Sequence, residues 1–249
     1  MGEDSIWIWG VHPVEEALAT RPDCIERILV LPTFGKKKNQ KALLELISTK
    51  GLAVERVNDF HRLRLPKGAV HQGICALVEK FWEVDADQIL ERAKQSGESV
   101  LVCDQIEDPQ NLGAVIRAAV AFEVSGIIIP SKQNAPINGT VIKASSGALF
   151  HTRLNTAQNL FSALDAAKKM AIPTIGLDAR GQTPIWDMDV KGAVCLVLGS
   201  EARGIRKNIR KILDDLTRIP INPALDSLNV SNAAAVALYE LKRKKTMQQ

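Results

Sequence analysis

The chain has 249 residues, 46% of them hydrophobic and 24% charged, proportions that exclude a disordered tail or a fibre as its main state and predict one large domain or a small and a medium one. Its 32 Lys and Arg against 28 Asp and Glu leave a net charge of only +4, so evidence for a polyanionic partner has to come from where the basic residues cluster. No apolar run approaches the roughly 18 residues of a membrane span, and Met1-Gly2-Glu3-Asp4 lacks the basic and long apolar stretches of a secretion signal, so a cytoplasmic protein without membrane contact is expected.

From Ile6 to about Lys80, short β-type runs alternate with helical ones. They are Ile6–Trp9, Val14–Ala19, Ile25–Leu31, Lys41–Lys50, Val54–Val57 and Gly73–Glu79, and they predict a compact α/β unit over residues 1–80. Residues 81–98 turn acidic and polar, with Ile89, Leu90 and Ala93 spaced for a short helix, and are read as a linker. Beyond them, strands are predicted at Val100–Asp104, Gly126–Ile129, Pro173–Asp178, Val194–Leu198 and Arg218–Ile221. Helices are predicted at Leu112–Phe122, Gln158–Lys169, Arg206–Leu213 and Leu228–Lys242. This alternation over residues 99–249 argues for a mostly parallel sheet with helices on both faces. Cys24, Cys75, Cys103 and Cys195 sit singly in apolar stretches and read as buried reduced thiols. Basic clusters occur at Lys36-Lys37-Lys38, at Arg203 to Lys211 and at Lys242 to Lys245; each alone reads as a solvated face.

In a parallel sheet, ligands collect at the carboxyl ends of the strands. Three such places carry unusual chemistry. After the first strand of the second region, Asp108-Pro109-Gln110-Asn111-Leu112-Gly113 leads into a helix bearing Arg117; Asn111 is placed to cap that helix. After Val194–Leu198 the chain reads Gly199-Ser200-Glu201-Ala202-Arg203-Gly204, a ligand-cradling turn that is neither a Walker loop nor a dinucleotide fingerprint. Gly176 to Gly181 echoes it and is read as a second strand-end turn. After Ile219-Pro220, a proline-containing loop enters a small-residue helix through Ser227, Asn229, Ser231 and Asn232; Ser227 serves as a plausible cap, and the others exceed what capping requires.

In this order the three segments resemble the SpoU/TrmH class of ribose 2′-O-methyltransferases, within the SPOUT superfamily of trefoil-knotted α/β proteins. Asn111 to Arg117, Leu198 to Gly204, and Ile219-Pro220 with Ser227 to Ser231 carry the resemblance, which covers about residue 98 onward. Gly10-Val11-His12-Pro13-Val14-Glu15-Glu16-Ala17-Leu18 and His71-Gln72-Gly73-Ile74 make the first region similar to the substrate-binding domain of the branch that modifies a guanosine in large-subunit (23S) ribosomal RNA. Asn222-Pro223, where a glycine often follows the Ile-Pro pair, and Asn232, where valine is frequent, depart from the commonest form.

The resemblance implies a C-terminal knotted methyltransferase domain with a small N-terminal substrate-binding domain, and methyl transfer from S-adenosylmethionine to a ribose 2′-hydroxyl of RNA. Carried over residue by residue, Leu198, Gly199, Ile219 and Leu228 would hold the cofactor. Asn111, Arg117, Glu201, Ser227 and Asn229 form the catalytic or RNA-positioning set, and Lys36, Lys37, Lys38 and Arg203 are expected to meet RNA. Arg117 is often given the part of proton acceptor in this class. A guanidinium, which holds its proton in proteins, suits pairing with a phosphate or the developing 2′-oxyanion better. No metal is expected, because His12, His61, His71 and His151 lack ligand spacing. A homodimer is expected through the last helix, where Ala233, Ala234, Ala235 and Ala237 permit close packing. The alternatives are a transfer-RNA methyltransferase of the same class and a non-catalytic RNA-binding or ribosome-assembly protein that keeps the fold.

Overall fold

The computed structural model describes residues 5–80, 82–200 and 203–247. In chain order they form β1 (Ser5–Trp9), α1 (Val11–Thr20), β2 (Ile25–Val30), α2 (Lys38–Thr49), β3 (Val54–Arg56), β4 (Ile74–Glu79), α3 (Ala86–Ser96), β5 (Val100–Asp104), α4 (Pro109–Ala121) and β6 (Gly126–Pro130). There follow α5 (Gly139–Ala144), β7 (Leu154–Ala157), α6 (Leu160–Lys169), β8 (Thr174–Leu177), β9 (Thr183–Pro184), β10 (Cys195–Gly199), α7 (Lys207–Arg210), β11 (Asp215–Arg218) and α8 (Val230–Thr246). The chain divides into two units, Met1–Phe81 with Ile137–His151, and Trp82–Pro136 with Thr152–Gln249.

In the first unit β4 is central. It pairs antiparallel with β1 and β2, and β3 adds parallel to β2. The β4 sequence Ile74-Cys75-Ala76-Leu77-Val78 is buried throughout, while α1 contributes Val11, Val14, Ala17 and Leu18, and α2 contributes Leu43 and Ile47. The segment 137–151 packs onto this unit through α5 and β1, and His151 Nε2 lies 2.7 Å from Glu16 Oε2. Asn138 caps α5 by accepting from the Thr140 and Val141 amides. The next residue can only be glycine: a Cβ on Gly139 would lie 2.1 Å from the Trp9 ring and 2.3 Å from the Trp7 carbonyl oxygen.

The second unit is built on a seven-stranded sheet, β7-β6-β5-β10-β8-β11-β9, in which every pairing is parallel. A sheet of this kind is buried on both faces, and β5 and β6 are buried at every residue. Val100, Val102, Ile128, Cys195 and Val197 share one apolar cluster with Ile89, Leu90 and Ala93 of α3 and Leu160 and Leu164 of α6. The alternating residues Leu101, Ile127, Leu196 and Leu198 therefore point to the opposite face. Helices α4 and α8 pack on each other, α4 also against β6 and α8 against β10. The four cysteines are buried, and burial pushes each thiol up to about 12, where it is inert.

Several expectations shift. Residues 81–98, read as a linker, contain α3, whose Ile89, Leu90 and Ala93 have no exposure and belong to the core of the second unit. The strand expected at Arg218–Ile221 ends at Arg218, because Pro220 has no N–H to give to a ladder. The helix expected at Arg206–Leu213 is confined to Lys207–Arg210. Asp108, not Asn111, caps α4, which starts on Pro109; Asn229, not Ser227, caps α8.

Replacing Gly139 by alanine is expected to cost about 1–3 kcal/mol, the price of forcing a methyl into a filled site. Chemical denaturation of the variant should show a lowered midpoint, and an unchanged curve would contradict the close packing of α5 on Trp9.

Candidate active site

Because every strand of the large sheet is parallel, all their carboxyl ends open on one edge. There a hollow of about 740 Å³ is lined by residues 177–180 after β8, 198–200 at the end of β10, Arg203 and Gly204, 218–221 after β11, and 225–228 leading into α8. Leu198, Gly199, Ile219, Leu228, Ser227 and Arg203 of the sequence-based set all line it.

Gly199 ends β10 where no side chain fits: a Cβ would lie 2.1 Å from the Gly204 carbonyl carbon and 2.2 Å from the Ile205 nitrogen. The chain beyond it turns back over the strand end. Gly204 N donates to Ser200 O at 2.8 Å, Arg203 N donates to Ser200 Oγ at 3.2 Å, and Gly204 takes φ of 65°. Glu201, assigned to the catalytic set, lies outside the described residues.

Two buried carboxylates fasten the chain that follows this turn. Asp104, at the end of β5 and wholly unexposed, accepts from Arg206 N at 2.9 Å and from Arg206 Nε at 2.7 Å. Asp178, after β8, accepts from Arg180 Nε at 2.9 Å and from Arg210 Nη2 at 2.8 Å. Burial pushes the Asp178 carboxyl up, but the hydrogen bonds from Arg180 and the charges of Arg210 and Arg180 outweigh it and hold the group below the usual carboxylate range. The sequence reading missed Asp178 and Arg180 as lining residues. Their signal was the echo between 176–181 and 199–204, which the fold explains as two strand-end turns on neighbouring strands.

Asn229 joins two of the three segments. Its Oδ1 accepts from Ser231 N at 2.9 Å, Ser231 Oγ at 2.6 Å and Asn232 N at 3.4 Å, and its Nδ2 donates to Asn111 Oδ1 at 3.0 Å. Arg117 stands on an exposed position of α4, outside the hollow. Lys36, Lys37 and Lys38 are exposed at the start of α2 in the first unit. Among the described residues no three His, Cys, Asp or Glu side chains converge as metal ligands, and no helix is long and apolar enough to cross a membrane.

Asn229→Ala is expected to lower stability by about 1 kcal/mol through loss of the cap, and Asn229→Asp, which keeps the accepting oxygen, to restore most of it. Equal denaturation midpoints for wild type and the alanine variant would overturn the capping assignment.

Residues 98–239 match the SpoU rRNA Methylase family, and residues 7–84 match the family described as RNA 2′-O ribose methyltransferase substrate binding. Over 249 residues the chain is 34% identical to a 23S rRNA (guanosine-2′-O-)-methyltransferase RlmB of Xylella fastidiosa, covering 99% of this chain and 100% of that one. A Xanthomonas campestris protein of the same name is 32% identical over 98% of this chain and 99% of its own. In structure the chain is similar to the SpoU methyltransferase AviRb of Streptomyces viridochromogenes, with a TM-score of 0.80 at 23% identity, covering 98% of this chain and 91% of that one.

Proposed function

The chain belongs to the SpoU rRNA Methylase family, and from that premise we propose that it transfers a methyl group from S-adenosylmethionine to the ribose 2′-hydroxyl of a guanosine in 23S ribosomal RNA. The observation that carries this reading is the hollow at the carboxyl ends of β8, β10 and β11, lined by two of the three segments that bear the family resemblance, those at Leu198 to Gly204 and at Ile219-Pro220 with Ser227 and Leu228. At about 740 Å³ it falls within the range of small-molecule sites. Leu198, Ile219, Leu225 and Leu228 give it apolar walls for a flat ring, while the chain at Gly199, Ile219 and Leu228 lies at element ends, where main-chain donors and acceptors can turn to a ligand. Bound there, S-adenosylmethionine supplies an activated methyl on a sulfonium whose thioether is its own leaving group.

The protein's part is then positioning and charge. Asn111 and Asn229 are hydrogen-bonded to each other and join the start of α4 to the start of α8. Arg117, Glu201 and Ser227 complete the polar set. Arg117 remains a cation and pairs with a phosphate or the developing 2′-oxyanion, which its forked donors suit. Arg203, exposed at the hollow, adds a second cation for RNA. The first unit supplies RNA affinity through Lys36, Lys37 and Lys38. Three cations at the N-terminus of α2 oppose its dipole and so weaken the helix, which is understandable if they serve an anionic partner.

In the same reading the loops after β10 and β11 form part of a trefoil knot, the protein works in the cytoplasm, and it is a homodimer. Of the alanines in α8, Ala234 and Ala237 are buried against their own chain, so the partner surface consists of Val236 and Tyr239, 44% and 56% exposed, with Ala233 and Ala235 beside them.

Incubation with radiolabelled S-adenosylmethionine and separate RNA pools tests the activity. Label is expected in naked 23S ribosomal RNA; label confined to transfer RNA would select the sister activity, and none in any pool a binding protein without catalysis. Arg117→Ala and Glu201→Ala are each expected to reduce transfer more than tenfold, Arg117 because it would donate to charge that develops in the transition state. Mixing the two variants should regenerate activity if each site takes Arg117 from the partner subunit. Proven subunit exchange without recovery would make each site the work of one chain.

A further inference from the structure

A second hollow, of about 370 Å³, lies on the same edge of the large sheet, beyond the ends of β6 and β7. Its walls include Lys132, Gln133, Gln158, Asn159, Phe161 and Arg206, and no carboxylate is among the described residues that line it. Arg206 is shared with the Asp104 clamp described above, so this hollow adjoins the chain that folds over β10.

The polar chemistry of the hollow is one-sided. Asn159 Oδ1 accepts from Phe161 N at 3.0 Å, Gln158 Oε1 accepts from Ser131 Oγ at 3.2 Å, and Gln133 Oε1 accepts from Gln105 Nε2. With the three carbonyl oxygens engaged inside the protein, each carboxamide offers a ligand its N–H donors. Lys132, exposed, adds a positive charge. Phe161 is 45% exposed, although its helix neighbours Leu160, Ala163, Leu164 and Ala167 all bury into the core. Donors, a cation and a half-exposed aromatic ring, with no carboxylate among the described lining residues, fit a nucleotide: an acceptor-rich phosphate and base edge, with a ring to stack.

The loop that carries Lys132 and Gln133 is tied down beside the hollow. Ile106 N donates to Asn134 Oδ1 at 2.9 Å and Ala135 N to Ile106 O at 2.8 Å, tying the loop after β6 to the loop between β5 and α4. Gln105 and Gln133, bonded to each other, both adopt left-handed backbone, with φ of 67° and 58°. β6 is two strands from β10, on the order of 10 Å away at the usual strand spacing.

We propose that this hollow binds a nucleotide of single-stranded RNA a short way along the strand from the methylated residue, with its base stacked on Phe161 and its phosphate at Lys132. The inference rests on the methyltransferase reading for the identity of the strand, and its test is chosen to stand apart from catalysis. Binding of a fluorescein-labelled single-stranded oligoribonucleotide is measured for wild type, Phe161→Ala, Phe161→Trp and Lys132→Ala, alongside S-adenosylmethionine binding as a check on the neighbouring site and the fold. Phe161→Ala is expected to weaken oligonucleotide binding roughly tenfold, Phe161→Trp to preserve it, and Lys132→Ala to reduce the salt dependence by about 0.7 in the slope, all with unchanged S-adenosylmethionine affinity. Wild-type RNA affinity and salt slope in both Phe161→Ala and Lys132→Ala would overturn the proposal. So would equally tight binding of a free nucleoside monophosphate, or a change in self-association alone. A wild-type protein that binds the oligonucleotide through Phe161 yet methylates no RNA would defeat the methyltransferase reading and leave this site standing.

Discussion

The carboxyl edge of the large sheet is organised by two carboxylates that water cannot reach freely. Asp104 has no exposure and Asp178 only 8%. A charge so placed is costly unless it is paired and hydrogen-bonded, and each here is met by an arginine from the stretch after β10. Such pairs contribute little net stability compared with apolar packing of the same shape, but they discriminate sharply between arrangements, since a displaced arginine strands a buried charge. Arg206 and Arg210, four residues apart, reach strands on either side of β10. The chain between β10 and α7 is thereby pinned across three strands, and both hollows take part of their walls from it.

The architecture was largely legible because a parallel sheet writes itself as apolar runs. Val100-Leu101-Val102-Cys103 and Val194-Cys195-Leu196-Val197-Leu198 have no polar interruption, and the structure buries them on both faces. Where the strand sits near the sheet edge the signal fails. Asp215-Leu216-Thr217-Arg218 carries one aliphatic side chain, so the neighbouring Ile219-Pro220-Ile221 looked more like a strand than the true β11. β7 and α5 were unread for related reasons: Leu154-Asn155-Thr156-Ala157 is half polar, and α5 is six residues long with a glycine at its start. The allegiance of 137–151 to the first unit has no local signature, since it depends on Trp9 and Glu16 far away in sequence.

The candidate site was legible to the extent that strand ends predict it. That rule selected the segments after β10 and β11, and the family resemblance then singled out Leu198, Gly199, Ile219, Ser227 and Leu228 within them, which the structure brings around one hollow. It could not find the clamp formed by Asp104 and Arg206, whose partners are 102 residues apart and look like an ordinary strand terminus and an ordinary basic cluster. It also divided capping from function too cleanly. Asn229 was singled out for polarity beyond what a cap needs, with Ser227 as the cap, whereas one Asn229 side chain both closes α8 and reaches Asn111. Its oxygen serves the helix and its nitrogen serves the neighbouring segment, so the two roles are chemically separable within one carboxamide.

Methyl transfer from a sulfonium demands little covalent help from a protein and much control of geometry, a demand that loops held in one conformation suit. The left-handed glutamines show how that rigidity is obtained. Each such backbone costs on the order of 1–3 kcal/mol, and Gln105 and Gln133 adopt it at facing strand ends, where their side chains bond to each other. A flexible loop would relax this strain. Here the Ile106–Asn134 and Ala135–Ile106 hydrogen bonds prevent relaxation by closing the two loops into one surface. Asn111, in the first turn of α4, is held by Asn229. A nucleotide held at Lys132 and Phe161 would rest beside these joined loops, so binding energy gained along the strand would be converted into orientation of the RNA.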